Sequence, residues 1–217
     1  MSVSKYFEDA TETQEAIRDC RLLEKAYDTP TYKTKTEQVF IKQEDDCIVF
    51  AIAGSNQIRD WRNNLNKKQA PIYDFEVSEG FLFGAKAIQE DVLNVANATG
   101  MSIHLTGHSR GGAVASILAI ILEKAGFTAS LRTFGSPKWT KSQISSEVIN
   151  NSVRYVTPGD LITMWPVRSG FKHLGNRILI GKDIDRHAGR FFDVYDSHML
   201  SYYMIELYAK ALDESQY

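Results

Sequence analysis

Thr106-Gly-His-Ser-Arg-Gly-Gly-Ala113 is the stretch on which the reading of the whole chain turns. Before it, Ser102-Ile-His-Leu-Thr106 has the composition of a short strand, and after it residues 110–124 form an apolar, small-residue helix. Between them Gly107-His-Ser-Arg-Gly111 fits the pattern G-x-S-x-G. In that pattern a serine sits on a tight, strained turn that holds its hydroxyl clear of the backbone. Glycines stand where strand and helix approach too closely for side chains. The amide N–H groups at the start of the helix then point toward the space beside the hydroxyl. Neither phosphate-loop pattern, the Walker sequence or GxGxxG, is present.

Working outward, the chain alternates. Residues 8–27 read as a helix, with Ala16, Ile17, Leu22, Leu23 and Ala26 on one stripe, stopped at Asp28-Thr-Pro30. Residues 38–42 and 47–53 read as two strands of a hairpin around Glu44-Asp-Asp46. Residues 80–98 read as a helix with Phe81, Ala85, Ile88, Val92 and Val95 facing the core, closed by Gly100. Then come strand 102–106, helix 110–124, strand 129–134, a short helix near 142–149 and strand 152–156. Residues 176–180 read as a hairpin arm or an edge strand, and residues 198–212 as an amphipathic helix. Alternating strands and helices imply right-handed crossovers, hence an α/β fold with a mostly parallel sheet and helices on both faces. The N-terminal hairpin adds an antiparallel edge and makes the sheet mixed.

The 217 residues suit a single domain spanning 1–217. Net charge is −2 with both signs interspersed, and no basic arm or Lys/Arg-rich run exists, so nucleic acid is excluded as a partner. Cys20 and Cys47 form no CxxC pair and read as thiols; no metal and no cofactor is expected. The first ten residues lack the apolar core of a secretory signal, and no run reaches transmembrane length. These features place the chain in the cytoplasm at synthesis, with signal-free export left open.

Several ordered motifs together resemble the class 3 lipase family, over roughly residues 35–205. The segment 106–115 is similar to the family's GHSLGGALA turn, with Arg110 in place of Leu. Ile52-Ala-Gly-Ser-Asn-Gln-Ile-Arg-Asp-Trp61 resembles its FRG[TS] segment, with Ala53 in place of Arg. Glu79-Gly-Phe81 resembles HxGF without the His, and Phe134-Gly-Ser-Pro137 resembles FGxP. The stretch 155–166 resembles VNxxDxVxxxP, and Asp196-Ser-His-Met-Leu-Ser-Tyr-Tyr203 resembles DHxxxY.

The resemblance implies an α/β-hydrolase fold and a serine hydrolase that cleaves carboxylic esters of acyl lipids, acylglycerol or phospholipid. Ser109 would be the nucleophile, Asp160 the acid and His198 the base, in the Ser…Asp…His order of such enzymes. Backbone N–H groups of Ser55 and Arg110 would form the oxyanion hole, leaving the Arg110 side chain without a required role. Ile58, Trp61 and Leu65 fall at i, i+3 and i+7 and would share one face of a lid helix, or of a fixed surface helix. His108 and His104 read as structural, and His187 and His173 as rival bases. Read without the resemblance, Asp160 serves equally as a turn residue after Pro158-Gly159. The expected partners are an acyl lipid or small ester, and transiently a lipid surface. The alternatives are a catalytically inactive relative that binds lipid or protein, and an acyltransferase.

Overall fold

The structure is a computed structural model and describes residues 3–54, 68–167, 170–181 and 198–215. The described elements are α1 (Val3–Asp28), β1 (Tyr32–Lys33), β2 (Gln38–Gln43), β3 (Cys47–Ile52), β4 (Gln69–Ile72), β5 (Phe75–Ser78), α2 (Glu79–Thr99) and β6 (Ser102–His108). They continue with α3 (Arg110–Lys124), β7 (Ala129–Phe134), α4 (Glu147–Asn150), β8 (Val153–Val156), a 3₁₀ turn (Leu161–Met164), β9 (Asn176–Leu179) and α5 (Leu200–Glu214). One 7-stranded sheet runs in the order β1-β2-β3-β6-β7-β8-β9, and β4 pairs with β5 apart from it. The β1–β2–β3 edge is antiparallel, and every pairing from β3 to β9 is parallel.

Two apolar layers clamp this sheet. In β3 the period of two sends Ile48, Phe50 and Ile52 to one face and Val49 and Ala51 to the other. The first face packs against α2 and α3, the second against α1 and α5. α3 is buried from Gly111 to Leu122 on all sides, which is why its sequence is apolar all round. In β6, Ile103 and Leu105 join the α2/α3 layer. His104 and His108 therefore point the other way, toward α1, which is where their partners lie.

One brace between α1 and the sheet is ionic. Asp19, fully buried on α1, sits 2.8 Å from His104 Nε2 and accepts from Arg132 Nη1 at 2.7 Å and Arg18 Nη2 at 3.0 Å. Burial alone would raise its pKa; His104, Arg132 and Arg18 outweigh that and hold it at about 2.

Three details depart from the sequence reading, and one choice it left open is decided. β4 and β5 form a hairpin where no element was expected. The helix expected near 142–149 is only Glu147–Asn150, capped by Ser146 Oγ accepting from Ile149 N–H at 3.3 Å. Of the two readings open for residues 176–180, the edge strand holds, with 176–179 parallel to β8. On α2, Ala96 takes the fully buried place expected of Val95, which packs only partly against the core.

Candidate active site

Ser109 lies where β6 ends and α3 begins, at φ 54° and ψ −127°, fully buried. A non-glycine residue rarely takes that conformation. Its N–H donates to the Phe134 carbonyl at 2.9 Å, and its carbonyl accepts from Gly112 N–H at 3.0 Å. The first turn of α3 is pressed against the end of β3. A side chain at Gly111 would stand 2.1 Å from the Ile52 carbonyl oxygen, so only glycine fits there.

Asp160, just after β8, and His198, just before α5, meet at this hydroxyl. Asp160 follows β8 and caps the 3₁₀ turn, its Oδ1 accepting from Ile162 N–H at 2.9 Å. Its Oδ2 accepts from His198 Nδ1–H at 2.7 Å and from Tyr203 O–H at 2.7 Å. Because Nδ1 gives its hydrogen to a carboxylate, Nε2 of His198 presents a lone pair. That lone pair meets Ser109 Oγ–H at 2.8 Å. Asp160 and His198 are as fully enclosed as Ser109. Space for their meeting comes from Gly135, at φ 59°, where a side chain would crowd Asp160 Oδ2 at 2.8 Å.

Behind this line runs a second one. His108 donates Nε2–H to the His198 carbonyl at 2.8 Å, since a carbonyl can only accept. Its Nδ1 then accepts from Tyr27 O–H at 2.7 Å, and the Tyr27 oxygen accepts from Gly54 N–H at 2.8 Å. Burial, with a smaller contribution from His198, lowers His108 to about 3, so the ring stays neutral and the direction of these bonds is fixed. Burial pushes the Tyr27 phenol upward. The end of α1, the end of β3, the turn before Ser109 and the loop carrying His198 are thereby linked through one imidazole.

The Arg110 side chain is also engaged. Its Nη1 pairs with the Glu37 carboxylate and donates to the Thr36 carbonyl at 3.1 Å, while Nη2 reaches the Gly80 carbonyl at 3.3 Å. The Glu37 side chain is fully buried; burial raises its pKa against the pull of Arg110. The guanidinium thus joins the first turns of α3 and α2 to the segment entering β2.

The structure brings Ser109, Asp160, His198 and the start of α3 at Arg110 together. It sends His173 elsewhere, its Nε2–H donating to the Thr163 carbonyl at 2.6 Å. Ser55, Ile58, Trp61, Leu65 and His187 lie outside the described residues. Sequence reasoning did not find Tyr27 or Glu37, which carry no motif, and quoted Tyr203 without giving it a role. A cavity of about 640 Å³ opens at the opposite end of the sheet, beside the first residues of β3, β6 and β7. It includes none of the Ser109 group, and Arg18 and Arg132 in its wall are paired with Asp19, Glu44 and Glu15. Among the described residues no three His, Cys, Asp or Glu side chains are grouped as metal ligands.

Comparison with solved structures shows the fold. The triacylglyceride lipase of Rhizomucor miehei superposes with a TM-score of 0.66 at 20% identity, covering 84% of this chain and 83% of that one. The mono- and diacylglycerol lipase of Aspergillus oryzae gives 0.66 at 17%, covering 84% of each chain. The fold is the α/β-hydrolase fold. The sequence model described as lipase (class 3) matches residues 49–170, more than half the chain, and the chain belongs to that family. Secreted mono- and diacylglycerol lipase 1 of Fusarium solani is 32% identical over 139 residues, 58% of this chain and 41% of that protein. The chain thus spans about two fifths of that relative's length.

That relative corrects one expectation. The cytoplasmic placement rested on the lack of an apolar leader in the sequence, and a relative that is secreted overturns it. Composition near residue 1 has no weight here, because the match covers so small a share of the relative.

Proposed function

We propose that this protein is a carboxylic-ester hydrolase acting on acylglycerols through an acyl-enzyme on Ser109. One observation carries the reading: the unbroken line Ser109 Oγ, His198 Nε2, His198 Nδ1, Asp160 Oδ2, at 2.8 and 2.7 Å, on a backbone strained at the serine. A serine hydroxyl near neutral pH needs a base within reach, and His198 Nε2 is that base. As Ser109 Oγ bonds to the ester carbonyl carbon, its proton passes to Nε2. The carbonyl oxygen gains charge, which the backbone N–H groups of Arg110 and Ser55 receive. His198 then gives the proton to the departing alcohol. Water repeats both steps and releases the fatty acid. Asp160 holds the required tautomer and stabilises the imidazolium, itself held by Tyr203 and Ile162.

Support for a lipid ester comes from the surroundings. Leu161 and Met164, beside Asp160, and Met199, beside His198, are each about half exposed, at 51%, 55% and 49%. An apolar rim next to a polar site suits an acyl chain or the surface that presents it. The Fusarium solani relative is named for mono- and diacylglycerols, which supports these as the first substrates to assay. Ile58, Trp61 and Leu65 belong to the same reading as a cover over the site.

The test pairs labelling with turnover. Wild type is expected to react with a fluorophosphonate and to release fatty acid from mono- and diacylglycerol emulsions, and Ser109→Ala to do neither. Equal labelling of both proteins overturns the role of Ser109. Labelling without release from acylglycerols, phospholipids or short esters overturns hydrolysis in favour of an inactive relative, and product esters formed with an added alcohol point to acyl transfer.

A further inference from the structure

Arg154 is partly buried on β8, its Nε fully so, and has no counter-ion among the described residues. In the parallel register Thr133 of β7 stands on one side of it and Arg177 of β9 on the other. Register partners on parallel strands point to the same face. Tyr155 and Ile178, one residue on, face the α1/α5 layer, so Thr133, Arg154 and Arg177 form a row on the opposite face. Like charges directly across a ladder repel, yet no carboxylate among the described residues joins them.

The polar atoms around this row are idle. Arg154 Nε, Thr133 Oγ1 and His173 Nδ1 are all buried without a hydrogen-bond partner. His173 spends its Nε2–H on the Thr163 carbonyl, which leaves a bare lone pair on Nδ1. Burial first, then the positive charges of Arg154, Lys138 and Arg177, push that imidazole down to about 4. Burial and Arg177 push Arg154 down to about 10. The two guanidinium groups of Arg154 and Arg177 thus stand side by side with no negative charge beside them among the described residues. A guanidinium offers a planar fork that matches phosphate oxygens.

We propose that Arg154 and Arg177 form a binding site for a phosphate-type oxyanion at the β8–β9 edge of the sheet. The site is separate from the ester chemistry. Its link to the Asp160 loop runs through His173 and Thr163, whose Oγ1 donates to the Asp160 carbonyl at 2.7 Å. The oxyanion is either free phosphate or the headgroup of a phospholipid. Leu179, two residues after Arg177 and 51% exposed, lies on the same edge.

Thermal unfolding at low ionic strength reads the first source. Inorganic phosphate at a hundredfold excess over Kd should raise the wild-type Tm by about 5–10 °C, and chloride at matched ionic strength should not. Co-sedimentation with phosphatidylcholine vesicles, with and without phosphatidic acid, reads the second source. Arg154→Met should respond to neither and, without phosphate, should unfold at a higher temperature than wild type because its repulsion with Arg177 is gone. Arg177→Gln, an exposed position, keeps the test open if Arg154→Met does not fold, and should weaken binding at least tenfold. A wild type indifferent to both phosphate and acidic vesicles, or variants that bind as wild type does, would overturn the site.

Discussion

Ser109 holds a backbone conformation that costs about 1–3 kcal/mol, and the neighbouring hydrogen bonds must over-determine it. Tyr27 is one source of that constraint. Tyr27→Phe removes the donor to His108 Nδ1 and the acceptor of Gly54 N–H. We expect a loss of about 1–3 kcal/mol in urea unfolding and, on the proposed mechanism, a fall of about tenfold in kcat with KM little changed. Steady-state assays on a soluble ester separate the two parameters. Arg110 reads differently in structure than in sequence. The turn motif leaves its side chain idle, whereas the fold sets it against a buried carboxylate. Arg110→Leu should therefore cost about 3–5 kcal/mol, and Arg110→Leu with Glu37→Leu should recover most of it. Equal unfolding midpoints for wild type and Arg110→Leu would show that the pair contributes nothing. The meeting of Ser109, Asp160 and His198 was legible because Ser109 lies in a turn motif with its own chemistry and the other two lie in stretches that resemble family motifs. Tyr27 was not, because a partner 81 residues away along the chain leaves no local pattern.

At the scale of elements, burial pattern decided what could be read. α3 is apolar throughout and β3 alternates between two covered faces, so both stand out in the sequence. β4 contains Pro71 and is only partly buried, so neither composition nor alternation marks it as a strand. The segment before α4 looked helical, but its hydroxyls serve other ends. Ser142 Oγ accepts from Glu76 N–H at 3.0 Å and Thr140 Oγ1 donates to the Glu76 carbonyl at 2.6 Å, which draws the segment onto β5. α1 shows the same limit. Its apolar stripe was visible, whereas the ionic brace through Asp19 joins residues on three elements. Asp19→Ala leaves Arg132 and His104 facing a gap and should lower stability by about 3–5 kcal/mol, read as a fall in Tm.

Over the whole molecule, acid should loosen the fold earlier than carboxylates alone would allow. An unfolded chain protonates His108 near pH 6.5, while the folded chain refuses the proton until about 3. Between those values the unfolded state binds more protons, so stability falls as pH drops through that window. His173, at about 4, acts in the same direction, and Asp19 adds its loss only between about 4 and 2. Urea midpoints measured from pH 8 to pH 4 should decline below about 6.5. His108→Gln should start lower and decline less steeply, and a wild-type midpoint constant down to pH 4 would contradict this account. The exposed rim gives a surface prediction: Met164→Asp should reduce hydrolysis of emulsified acylglycerol several-fold more than hydrolysis of a short soluble ester. The Gly54–Tyr27–His108–His198 relay also bears on where such a protein can be cut. Residues 49–170, the stretch that marks the family, hold Ser109 and Asp160 but neither Tyr27 nor His198 nor Tyr203. Expressed alone, that stretch would, on the proposed mechanism, present a serine with no proton acceptor, on a turn missing its outer prop. On that mechanism, the stretch that marks the family and the stretch that could turn over an ester are different lengths of chain.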